Sequence, residues 1–128
     1  MKSLTLILLQ EKFAVCRQDN KLPIPMWVLK SRDFYSITRT HDEMSIVCIQ
    51  ASLPAGVEAE EDWRTFKVEG PLDFSMTGVI SSLTDPLAKN EISVFVISTY
   101  ETDYIMVKEE DIEKAVQILE EYCTVKRT

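Results

Sequence analysis

The sequence predicts an α+β fold, and three observations predict it. Trp63-Arg64-Thr65-Phe66-Lys67-Val68 alternates apolar and polar side chains, the period-two pattern of a half-buried strand. Ile112, Ala115, Val116, Leu119, Tyr122 and Cys123 recur at intervals of three and four, the pattern of a helix with one apolar face. Residues 42–50 overlay residues 90–98 at a constant offset of 48, with Glu, Ser and Ile identical and four other positions apolar in both copies, which points to a duplicated architecture.

The elements follow in order. Residues 4–9 and 13–17 read as two strands, or as one long bent strand; the alternation of Leu4, Leu6 and Leu8 favours a strand over a leader peptide, whose apolar core is longer. Asp19-Asn20-Lys21, Pro23 and Pro25 mark a loop, and Met26-Trp27-Val28-Leu29 is too short to assign by period. Residues 34–39, rich in β-branched and aromatic side chains, and residues 44–49 read as strands, the second ending before Pro54-Ala55-Gly56. After the strand at 63–68, Gly70-Pro71 stops the chain and a helix is expected over residues 75–88, with Val79, Ile80, Leu83 and Leu87 inward. Pro86 lacks the amide donor of the helical ladder and should interrupt or kink that helix. Asn90 is expected to close it in the left-handed conformation. Strands at 92–97 and 104–107 and the helix from Ile112 complete a β-α-β-β-α second half, with acids at the start of the last helix and Lys126-Arg127 at its end.

Composition bounds the function. At 128 residues the chain suits one compact domain, or two very small ones sharing a core. The net charge of −7 and the scattered Lys and Arg argue against nucleic acid, whose phosphates reward clustered cations. No apolar run reaches membrane-spanning length. Cys16, Cys48 and Cys123 are odd in number, far apart and set among apolar neighbours, the pattern of buried thiols in a cytoplasmic protein.

Catalytic constellations are thin. His41, the one histidine, sits in the polar connector Arg39-Thr40-His41-Asp42-Glu43; it reads as a turn residue, or as a base with Asp42 or Glu43 nearby, and a small enzyme would need it with Asp42 or Cys48. No metal site and no cofactor are expected, because close cysteine pairs and glycine-rich phosphate loops are both missing from the sequence. Residues 58–62 form an acidic run that reads as a solvated linker. Two segments remain. Ser75-Met76-Thr77-Gly78-Val79 lies near a helix start, whose free amides and positive dipole end suit an anion; the alternative is plain capping by Ser75. Ser98-Thr99-Tyr100-Glu101-Thr102-Asp103 connects two strands with a hydroxyl and a carboxylate. It reads either as an ordinary polar hairpin or as the acceptor side of a pocket for an α-amino acid.

Gly70-Pro71-Leu72-Asp73-Phe74, Thr77-Gly78-Val79, Pro86-Leu87-Ala88 and Ser98-Thr99-Tyr100-x-Thr102-Asp103-Tyr104-Ile105-x-Val107 together resemble ACT domains. The resemblance is to the aspartate-kinase-like subgroup, found in small bacterial tandem proteins and in the cytosolic arginine sensors of animal TOR signalling. It implies a ferredoxin-like α+β sandwich of tandem units packed as one compact body: an abbreviated N-terminal unit over 1–60 and a complete ACT domain over 61–128. It further implies a site in which Thr77, Gly78, Val79 and Ile80 line one wall and Thr99, Tyr100 and Asp103 the other. The sensors carry an acidic residue just before the helix-start glycine, where this chain has Met76 and Thr77, so arginine is not singled out as the ligand. The expected function is a non-enzymatic regulatory module that binds a small molecule, an amino acid by preference, and forms a homodimer. A pure assembly module without ligand and a small enzyme on the same scaffold are the alternatives.

Overall fold

In the structure, a computed structural model that describes residues 4–70 and 77–128, the chain divides into two units. One is Glu11–Trp63; the other joins Met1–Gln10 to Arg64–Thr128. In chain order the elements are β1 (Thr5–Leu8), β2 (Phe13–Gln18), α1 (Met26–Leu29), β3 (Tyr35–Arg39), β4 (Met44–Ile49), β5 (Ala59–Val68), α2 (Val79–Lys89), β6 (Phe95–Ser98), β7 (Asp103–Lys108), α3 (Ile112–Leu119) and β8 (Thr124–Arg127). Residues 4–9 and 13–17 are therefore two separate strands, and they serve different units. The sequence division at 60/61 left the first of them with the N-terminal half.

In Glu11–Trp63 the strands run in the order β3-β4-β2-β5, all pairs antiparallel. One sheet face buries Ala14, Cys16, Met44, Ile46 and Cys48, closed by Val28 of the single-turn helix α1. The polar connector at 39–43 turns because the Thr40 hydroxyl accepts from the amides of Asp42 and Glu43, both at 3.1 Å, beside the backbone bond from Thr40 N to Glu43 O at 2.8 Å. The acidic run at 58–62 is not a linker, as expected from its charge: residues from Ala59 onward are strand. Ala59 and Glu60 pair with Cys16 and Val15, and the register then shifts at a bulge before Phe13 meets Trp63. Asp62 sits there with φ 67, held by the Gln50 side chain, which accepts from its amide at 2.6 Å and donates to its Oδ1 at 3.0 Å.

The second unit has strand order β8-β1-β5-β7-β6. From β5 onward it reads βαββαβ, the ferredoxin-like order, with β1 inserted beside β8. Alternation puts Leu6, Leu8, Phe66, Val68, Ile105 and Val107 on one face, where they pack against Val79, Leu83 and Leu87 of α2 and Ile112, Ala115, Val116 and Leu119 of α3. Burying one Leu-sized side chain contributes about 1.5–3 kcal/mol, so this layer is the main store of stability in the unit.

The helices depart from expectation at several points. Residues 71–76, including the expected helix start and the Ser75 cap, lie outside the described residues; among those described, α2 begins at Val79 after Gly78. Pro86 does not interrupt α2, which continues to Lys89: the proline forfeits one bond near the end of the helix, and its ring is buried in the core. The left-handed closing residue is Glu91 (φ 59), not Asn90 (φ −103). Ile92 N donates to Leu87 O at 3.0 Å and Glu91 N to Ala88 O at 2.9 Å, a Schellman closure, while Asn90 Nδ2 takes the Pro86 carbonyl at 2.8 Å. The last helix stops at Leu119, and Lys126-Arg127 belong to strand β8, parallel to β1, rather than to a helix end. Among the described residues no helix is long and apolar enough to cross a membrane. The 48-residue echo aligns β4, paired on both sides, with β6, paired only to β7, so the two copies do not share one structural role.

Candidate functional site

The polar stretch at 98–103 is a four-residue hairpin loop between Ser98 and Asp103, which face each other across β6 and β7. Thr99 ties it internally: its amide donates to Thr102 O at 2.8 Å, its hydroxyl donates to the same oxygen at 3.0 Å, and it accepts from Thr102 N at 3.3 Å. Thr102 is the anchor. Its side chain is buried and its hydroxyl donates to the Val68 carbonyl at 2.6 Å, which seats the loop against the C-terminal end of β5. The sequence reading named Thr99 and passed over Thr102; the repeated Thr-x-x-Thr spacing was the available signal.

Asp103 opens β7, half-buried, on the face it shares with Ile105 and Val107, the face on which α2 and α3 pack. Tyr104 takes the opposite face. Tyr100 is 82% exposed at the loop tip.

Thr77 and Gly78 are exposed at the start of α2, Val79 is buried in the core, and Ile80 is half-buried. Gly78 is the N-cap with φ 75, and among the described residues no side chain caps the helix. Glycine is needed there for its conformation rather than for space, since an added Cβ would meet only Ser81 Oγ at 3.8 Å. The first-turn amides are orphan donors of the helix, and they carry the positive end of its dipole. In chain order this helix start follows the same end of β5 that Thr102 grips. The structure thus brings Asp103 and the loop to the β5 terminus, and gives Thr99 a turn-forming duty.

The enzyme alternative needs His41 close to Cys48 or to an activated group. His41 is exposed in the β3–β4 turn, whereas Cys48 is buried four residues beyond the near end of β4, about 13 Å along a strand that rises about 3.3 Å per residue. All three cysteines are buried free thiols. Cys16 is pushed far above its ordinary range because its thiol hydrogen-bonds Cys48 and is desolvated; accepting that bond lowers Cys48.

A family model described as ACT domain matches residues 58–121, and a model of an N-terminal domain matches residues 11–56. The chain is 29% identical over 97 residues to the cytosolic arginine sensor for mTORC1 subunit 1 of Bos taurus, covering 67% of this chain and 30% of the sensor. It therefore spans about a third of the length of the sensors it matches. Among solved structures, the protein Atu0741 of Agrobacterium tumefaciens superposes with a TM-score of 0.92 at 33% identity, covering 100% of this chain and 96% of that one. The ligand-free regulatory subunit of aspartate kinase from Thermus thermophilus has the same fold, with a TM-score of 0.68 at 13% identity over 91% of this chain and 95% of that one.

Proposed function

This chain belongs to the ACT domain family, and on that premise we propose that it is a non-enzymatic regulatory module whose C-terminal unit binds a free amino acid. What supports the reading is a helix start at Gly78 with a glycine N-cap and a carboxylate, Asp103, on the helix-facing side of β7. Asp103 accepts from the ligand's ammonium group, and the amides of Val79 and Ile80 receive its carboxylate. Thr77 and Gly78 let the ligand approach the backbone, Thr99 shapes the loop, and Tyr100 forms the exposed outer wall. Hydrogen bonds to charged groups contribute about 1.5–3 kcal/mol each, enough to make the ammonium and carboxylate ends decide specificity for the α-amino acid core. The relatives named as cytosolic arginine sensors support both this ligand class and a cytoplasmic location.

The test is a thermal-shift screen of the twenty amino acids on the wild-type chain and on Asp103→Ala. A ligand at a hundredfold its Kd stabilises the wild type by about 2.7 kcal/mol. Asp103→Ala is expected to melt like the unliganded wild type and to lose the response. A hit that stabilises both chains equally removes Asp103 from the site.

A further inference from the structure

The buried core of Glu11–Trp63 is rich in sulfur. Its six buried residues are Ala14, Cys16, Val28, Met44, Ile46 and Cys48, and half of them carry a sulfur atom. The sequence hides this grouping, because Cys16 and Cys48 stand 32 positions apart and meet only through the pairing of β2 with β4. In that ladder Cys16 lies opposite Ile46, and Ala14 opposite Cys48. Residues two apart on a strand share a face, so Met44 and Cys48 hold the two diagonal positions that flank Cys16. The Cys16 thiol hydrogen-bonds Cys48. Directly across from Cys48, Ala14 brings only a methyl group to the space beside the pair.

This spacing suits a bridging ion better than a disulfide. Diagonal Cα atoms of an antiparallel pair lie about 7–8 Å apart. A disulfide spans about 4.4–6.8 Å between Cα atoms, so closing one here would distort the ladder. Two metal–thiolate bonds of about 2.3 Å laid end to end set the sulfurs about 4.6 Å apart, which two thiols in hydrogen-bond contact reach by a small parting. The donor set then selects the ion. Thiolate and thioether are soft ligands that favour copper(I), whereas magnesium and calcium require oxygen. Zinc takes four ligands, and among the described residues no three of His, Cys, Asp or Glu gather in one place.

We propose that Cys16 and Cys48, with Met44 on the second diagonal, form a buried binding site for copper(I). Binding replaces two S–H bonds with two S–Cu bonds; both protons leave to solvent, copper stays monovalent and no electron moves. The single negative charge that results is spread over two large, polarisable sulfurs, and the Met44 thioether adds a neutral third donor. The face is closed by Val28 of the single-turn helix α1, a small element to displace for entry. All of these residues lie within Glu11–Trp63, so the site is independent of the amino-acid reading of the other unit.

Anaerobic titration of the full, reduced chain with copper(I) held by excess bicinchoninate tests the proposal, with the colour of the copper–chelator complex as the readout. The wild type is expected to withdraw one copper per chain, and Cys16→Ala or Cys48→Ala to weaken that uptake by at least about tenfold. Met44→Leu is expected to weaken it less, and Cys123→Ala to leave it unchanged. Equal melting midpoints of the metal-free variants verify the fold. Should the cysteine variants fail to fold, X-ray absorption at the copper edge of the wild type decides: a shell made of sulfur neighbours upholds the site, and a nitrogen or oxygen shell overturns it. No copper withdrawn from the chelator, uptake indifferent to both Cys16→Ala and Cys48→Ala, or uptake lost in Cys123→Ala also overturns the proposal.

Discussion

Thr102 and Asp103 are chain neighbours in different settings: the first is buried and holds the loop, and the second stands half-buried at the start of β7. Replacing Thr102 with Val strips the Val68 carbonyl of a buried donor, so it is expected to destabilise the chain by about 1–3 kcal/mol in urea unfolding, whereas Thr102→Ser keeps the bond and most of the stability. The sequence singles out Asp103 as a candidate because a carboxylate at a strand start needs a reason. It could not separate Thr99 from Thr102, since which hydroxyl reaches β5 is decided by sheet pairing and not by local pattern. Cys123 carries a second prediction at this scale. Burial pushes its thiol above the ordinary value of 9.0, and its Sγ donates to Leu119 O at 3.2 Å. The native chain then holds this proton where the unfolded chain releases it, so stability is level below pH 9 and falls as pH rises beyond it. Melting curves from pH 7 to 10 should show a shallower alkaline decline in Cys123→Ala than in the wild type.

At the scale of elements, strong local periodicity was readable and long-range pairing was not. Ile112 to Leu119 carries its own helical signal. Thr124-Val125-Lys126-Arg127 does not announce a strand, because only Val125 is apolar and its partner, Leu6, stands at the other end of the sequence. Asn90 was the reasonable choice for a left-handed position, yet the closure falls one residue later, where Ile92 must turn inward to meet Leu87 in the core. A glutamate at φ 59 costs about 1 kcal/mol relative to glycine. Glu91→Gly is therefore expected to raise the melting midpoint by a few degrees, measured by circular dichroism. Gly78→Ala, at φ 75, is expected to lower it by a similar amount.

At the scale of the molecule, the unit containing the candidate site is assembled from distant parts of the chain, while Glu11–Trp63 is continuous. Thr5 pairs with Thr124 and Leu8 with Arg127. Removing residues 124–128 leaves β1 without its parallel neighbour and exposes Leu6 and Leu8 at a sheet edge; it is expected to lower the melting midpoint and to promote aggregation, read by light scattering. The β1–β8 pairing also bears on how the molecule is made. On a ribosome adding about 5–20 residues per second, β1 emerges first and waits several seconds for β8. During that interval the intervening segment is free to close around its own core, and β1 can pair with β5 while its other edge, which β8 will cover, stays open. Until β8 has been translated, β1 thus keeps one open strand edge, which makes that edge a natural footing for a chaperone.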